Sequence, residues 1–100
     1  PKELERRLHS FPTSFSRNID HYKVQLEHVT PRDTLIRMIL DSPQDWETII
    51  DKYCVGCLVL KHEHDRLSNV FDPSDLWGRY KTATGGKISV YNSTDLSQIV

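Results

Sequence analysis

Two short stretches of this sequence concentrate side chains that can move protons or hold cations. The first is Glu27-His28, followed by Val29-Thr30-Pro31. The second is Leu58–Asn69, where Lys61-His62-Glu63-His64-Asp65-Arg66 packs two histidines, two carboxylates and two cations into six residues. An unperturbed imidazole titrates at about pH 6.5, so it can accept and return a proton under physiological conditions. Histidine and carboxylate together can also bind a divalent ion. The spacing limits the options. His62 and His64 share a face on a strand but not on a helix, where side chains three or four apart are neighbours. On a helix, a metal is expected to take one of them and draw its other ligands from elsewhere.

A third constellation is Cys54-Val55-Gly56-Cys57, the only two cysteines of the chain. Such a pair can be half of a tetrahedral zinc site, which His62 and His64 would complete. The gap between the halves is shorter than the dozen or so residues that zinc sites commonly place there. The competing reading is two small core residues at the start of an apolar strand. The aromatic residues Trp46, Phe71, Trp77, Tyr80 and Tyr91 are expected in the core, because a base-stacking platform needs exposed rings interleaved with cations. Arg6-Arg7 and Arg37 read as solvated faces.

These residues need elements to hold them. Leu4 and Leu8 suggest a short amphipathic helix at the N-terminus, and Phe11–Asn18, rich in Ser, Thr and Pro, reads as a loop. Tyr22–Val29 alternates apolar and polar and predicts a half-buried strand that carries Glu27 and His28 near its end. Thr30-Pro31-Arg32-Asp33 is a helix start, with Thr30 as cap and Pro31 in the first turn. Ser42-Pro43-Gln44-Asp45 and Asp72-Pro73-Ser74-Asp75 repeat that signal. After the second, Trp46, Ile49, Ile50 and Tyr53 mark one helical face. Val55–Leu60 predicts a buried strand leading into a helix near His62. Gly85-Gly86 is a turn, and Lys87–Tyr91 alternates as a further strand. The tail Asn92–Val100 fits either class. The expectation is a single domain over residues 1–100, of α+β class, with a small antiparallel sheet and helices.

Bulk properties exclude several classes. Hydrophobic residues make up 37% and charged residues 27%, a balance that suits a packed core rather than disorder. The formal charge is −1, too low for a general nucleic-acid coat. It is uneven: residues 1–38 carry seven Lys/Arg against five Asp/Glu, and residues 39–100 carry six against nine. No apolar run approaches the length of a membrane-spanning helix. The opening Pro-Lys-Glu-Leu-Glu-Arg-Arg lacks the apolar centre of a secretory signal, and two cysteines fit a reducing compartment, so a cytoplasmic setting is expected. Pro1 in place of Met fits a processed start or a piece of a longer protein.

Read together, Leu26-Glu27-His28-Val29-Thr30-Pro31 and Leu58-Val59-Leu60-Lys61-His62-Glu63-His64-Asp65-Arg66-Leu67 resemble the two motifs of the HNH, or ββα-metal, nucleases. The resemblance covers about residues 20–70. It implies a ββα-metal-like core with a helical insertion, and cleavage of nucleic acid, most simply DNA, by an endonuclease. Carried across, His28 is the general base. Glu27 and His64 hold one divalent ion (Mg or Mn, with Zn as a further option), and His62 is the rival to His64. Lys61, Arg66 and Arg32 contact phosphates. The chain departs from the pattern where an Asn normally orients the base, since Val55, Gly56 or Cys57 stands there. Two alternatives accompany this reading: a non-catalytic interaction or regulatory domain of the same fold, and a small zinc-stabilised binding module.

Overall fold

A computed structural model describes residues 2–8, 12–16 and 24–100. Among the described residues the fold is α+β: a four-stranded mixed sheet with five α-helices. The elements run α1 (Lys2–Arg7), β1 (Pro12–Ser16), β2 (Val24–His28), α2 (Arg32–Asp41), α3 (Trp46–Tyr53), β3 (Gly56–Leu60), α4 (Lys61–Arg66), α5 (Gly78–Lys81) and β4 (Val90–Asn92).

The strand order is β2-β3-β1-β4. β3 sits inside, as its apolar run Gly56-Cys57-Leu58-Val59-Leu60 requires. It pairs antiparallel with β2, Glu27 facing Cys57 and His28 facing Gly56, and parallel with β1. The expected sheet was wholly antiparallel, and the parallel pair comes from a strand that the sequence hides. Pro12-Thr13-Ser14-Phe15-Ser16 has the composition of a loop, yet it is central. Ser14 and Ser16 are both buried and turn inward. Each is satisfied there: Ser14 Oγ donates to the Gly56 carbonyl at 3.0 Å, and Ser16 Oγ to Glu63 at 2.5 Å. A buried hydroxyl with an acceptor costs little, so composition alone misjudges this strand.

Helix starts also differ from expectation. Pro31, not Thr30, caps α2, and no side-chain hydrogen bond forms there. The Thr30 hydroxyl is buried without a partner among the described residues. Pro43–Asp45 forms a single 3₁₀ turn ahead of α3. Asp72 accepts from Ser74 in a turn, and the third helix starts later, at Gly78. The last strand begins at Val90 rather than Lys87. Of the expected strand Tyr22–Val29, Tyr22 and Lys23 lie outside the described residues, Val24–His28 form β2 and Val29 lies in the bend after it. The apolar parity Val24 and Leu26 is exposed rather than buried.

Two apolar clusters carry the packing. One lies on the inner face of the sheet and contains Val29, Cys57, Val59, Leu67, Tyr80, Ala83, Ile88 and Val90. The other joins the helices through Leu35, Ile39, Ile49 and Ile50, with Leu4, Leu8, Met38 and Trp46 against it. Residues 29–55, which hold α2 and α3, run between β2 and β3, and the buried residues of these two helices form the second cluster together with Leu4 and Leu8 of the N-terminal segment.

Candidate functional site

β2 alternates strictly. Val24, Leu26 and His28 point to the outer face, and Gln25 and Glu27 to the inner. Glu27 is thereby buried, at 8% exposure, on the face that α4 covers. A carboxylate in that position needs partners for its oxygens, and both find them. Glu27 Oε2 lies 2.5 Å from His64 Nδ1. Glu27 Oε1 accepts from Arg79 Nη1 and Nη2 at 3.3 Å each.

His64 reaches Glu27 because α4 begins at once after β3, with no intervening loop. Six residues are too few to make a helix by themselves. α4 is fastened by its third residue, Glu63, whose Oε1 turns back to accept the Leu60 backbone N–H at 2.9 Å and also receives Ser16. That anchor fixes the turn on which His64 stands. The His64 side chain is 37% exposed, and Nδ1 is the ring nitrogen that faces Glu27.

Arg79 is the residue that sequence reasoning missed. Its guanidinium is buried at 7% exposure and serves four acceptors: Glu27 Oε1, the His28 and Val29 carbonyls at 3.2 Å, and, through Nε, the Ser68 carbonyl at 2.8 Å. It ties the end of β2 to the segment after α4. One signal was available. Arg79 stands beside Tyr80 and Trp77 in a stretch read as core, and an arginine there demands a buried carboxylate.

The structure brings Glu27 and His64 together and separates the other expected members. His28 stands on the outer face of the sheet, and the contact it makes with the cluster is through its backbone carbonyl. His62 and Lys61 are exposed on α4, and Arg32 is exposed at the start of α2. Arg66 is committed to the glycine turn, donating from Nε to the Thr84 carbonyl and from Nη2 to that of Gly86, both at 2.7 Å. No family model matches the chain, and neither the curated proteins nor the solved structures contain a match to it.

The fit of a metal follows from the same geometry. An ion between Glu27 and His64 would have to part a 2.5 Å contact and would face the Arg79 guanidinium across one carboxylate. His64 Nε2 is the better donor, with Glu27 behind the ring in the manner of a carboxylate that orients a metal-bound histidine. Among the described residues no group of three or more His, Cys, Asp or Glu is gathered to hold an ion. Mg²⁺ and Mn²⁺ favour oxygen ligands, and both Glu27 oxygens are already engaged, so an imidazole nitrogen here suits Zn²⁺ better. The cysteine pair fares differently. Cys57 is fully buried between Val59 and Tyr80, and burial pushes its thiol up to about 11, which opposes the thiolate that zinc requires. Cys54 lies beyond α3, where its Sγ donates to the Arg7 carbonyl at 3.2 Å.

Proposed function

We propose that this domain hydrolyses phosphodiester bonds in nucleic acid, DNA foremost, with His64 at the reacting centre and Glu27 behind it. One observation carries the reading: the 2.5 Å contact between Glu27 Oε2 and His64 Nδ1. A carboxylate at Nδ1 requires a proton on that nitrogen. Nε2 then presents its lone pair. A base so held takes a proton from water as the water attacks phosphorus, and returns one to the leaving oxygen. A divalent ion at Nε2 would instead neutralise charge on the scissile phosphate and the leaving oxygen. Lys61 and Arg32, both exposed cations, are the proposed phosphate contacts. The likeness to HNH nucleases supports the substrate class and, in its own pattern, assigns the base to His28. A cytoplasmic setting belongs to the same proposal.

The test uses purified protein with plasmid DNA, single-stranded DNA and RNA, each with Mg²⁺, Mn²⁺, Zn²⁺ or EDTA. His64→Ala is expected to lower cleavage by at least about a hundredfold, the scale of one general base. His28→Ala separates the two assignments of the base. Cleavage by His64→Ala equal to wild type would sink the proposal.

A second reading rests on Arg79. By occupying Glu27 Oε1 it closes the charge of the cluster internally, as in a structural pin between β2 and α5. On that reading the domain is a non-catalytic interaction module. Wild-type protein that leaves every substrate intact under all four conditions supports it.

A further inference from the structure

We propose that Arg79 is a positioning residue that fixes which end of side chain 27 faces His64, and through that atom the nitrogen of His64 that carries the proton. The argument starts from the fork. Arg79 Nη1 and Nη2 both reach Glu27 Oε1, at 3.3 Å. The rest of the guanidinium is held by three backbone carbonyls, those of His28, Val29 and Ser68. These carbonyls lie at the end of β2 and just after α4, so turning the fork toward the carboxylate would break hydrogen bonds to them. A planar guanidinium donates at every position and accepts at none. It therefore claims one carboxylate oxygen and leaves the other, Oε2, as the acceptor for His64. The ring answers by placing its proton on Nδ1, and Nε2 is left basic. Glu27 Oε2, an acceptor only, selects the Nδ1–H tautomer, and Arg79 holds that oxygen in place by occupying the other.

The consequence separates Arg79 from a mere counter-ion. In Glu27→Gln the side chain keeps its shape but has one oxygen and one NH₂. Arg79, a donor only, captures the amide oxygen. The NH₂ is then turned to His64 Nδ1, which must accept, so the proton moves to Nε2. The ring pattern inverts. Arg79→Lys keeps the charge but loses the fork. With Glu27 the ring keeps its proton on Nδ1, because either oxygen accepts; with Glu27→Gln in addition the amide is free to turn, and the two tautomers mix. The effect on cleavage rests on the hydrolase reading; the effect on the ring does not.

The experiment is ¹⁵N NMR of the His64 ring nitrogens in labelled full-length chain, at a pH where the ring is neutral. Wild type is expected to show a protonated Nδ1 and a lone pair on Nε2. Glu27→Gln is expected to show the reverse, and Glu27→Gln combined with Arg79→Lys averaged signals, each with an otherwise native amide spectrum. A wild-type ring protonated on Nε2 overturns the proposal. So does a folded Glu27→Gln that keeps the proton on Nδ1, which would mean that Arg79 does not hold the amide. Glu27→Gln is close to isosteric and keeps the test decisive if the combined variant fails to fold. In parallel cleavage assays, the inverted ring of Glu27→Gln is expected to lower kcat by at least about a hundredfold with KM unmoved. Wild type without cleavage removes the hydrolase reading and leaves the ring result to decide on Arg79.

Discussion

Glu27 and Cys57 face each other across β2 and β3, and the same burial acts on both in different ways. Glu27 meets it by pairing. Cys57 meets it by keeping its proton, its pKa pushed up from 9.0 to about 11 by loss of water. The Tyr80 hydroxyl lies beside that thiol, without a hydrogen bond of ordinary geometry among the described residues, and burial raises it too. Both groups are acids whose folded pKa exceeds the unfolded one. The native state therefore holds its protons to higher pH than the unfolded chain does. Stability from this source is full below about pH 9 and falls as pH rises through about 11, by roughly 3 kcal/mol for Cys57. Urea unfolding at pH 8 and pH 10.5 is expected to show the loss in wild type and a smaller loss in Cys57→Ala.

At the scale of elements, the short helices depend on single side chains. Glu63 stitches the first turn of α4 to both Leu60 and Ser16, and is 2% exposed. Glu63→Ala leaves a buried hydroxyl and a buried N–H unpaired. It is expected to cost about 2–4 kcal/mol, read as a fall in the denaturation midpoint, and to raise amide exchange through α4. Thr30 is the opposite case. Its hydroxyl, 1% exposed, makes no hydrogen bond among the described residues, so the expected cap of α2 is spent. Thr30→Val replaces that hydroxyl by a methyl of similar shape. It is expected to be neutral or to stabilise by up to about 1 kcal/mol, measured by the same denaturation. A normal cap residue would lose stability on this change, so the sign is the test.

At the scale of the whole molecule, the described residues pack around two apolar clusters. One, among the helices, surrounds Leu35, which is fully buried, and the other, on the inner face of the sheet, surrounds Val59 and Tyr80. Leu35→Ala is expected to cost about 3 kcal/mol through the cavity it leaves. Hydrogen exchange should then rise more in α2 and α3 than in β3. Equal loss of protection everywhere would mean that the two clusters unfold as one.

Local pattern determined much of this molecule. The apolar run marked β3 and the i, i+3, i+4, i+7 set marked α3, because each depends only on which face a side chain must bury. The alternation located β2 but with its faces reversed: Val24 and Leu26 are exposed and Glu27 is buried. The same rules placed Glu27 at a strand end and His64 just past β3. Three things were left to the tertiary structure. The strand Pro12–Ser16 reads as a loop because its inward residues are serines, and only β3 and Glu63 supply the acceptors that make them acceptable inside. Which histidine meets Glu27 depends on the turn at Leu60, where α4 starts without a loop and brings His64, not His62, back over the sheet. Arg79, 52 residues beyond Glu27, takes the second carboxylate oxygen through a contact that no local period encodes. Periodicity reports burial along one element. The pairing of buried charges is decided between elements, by the cost of leaving either one alone.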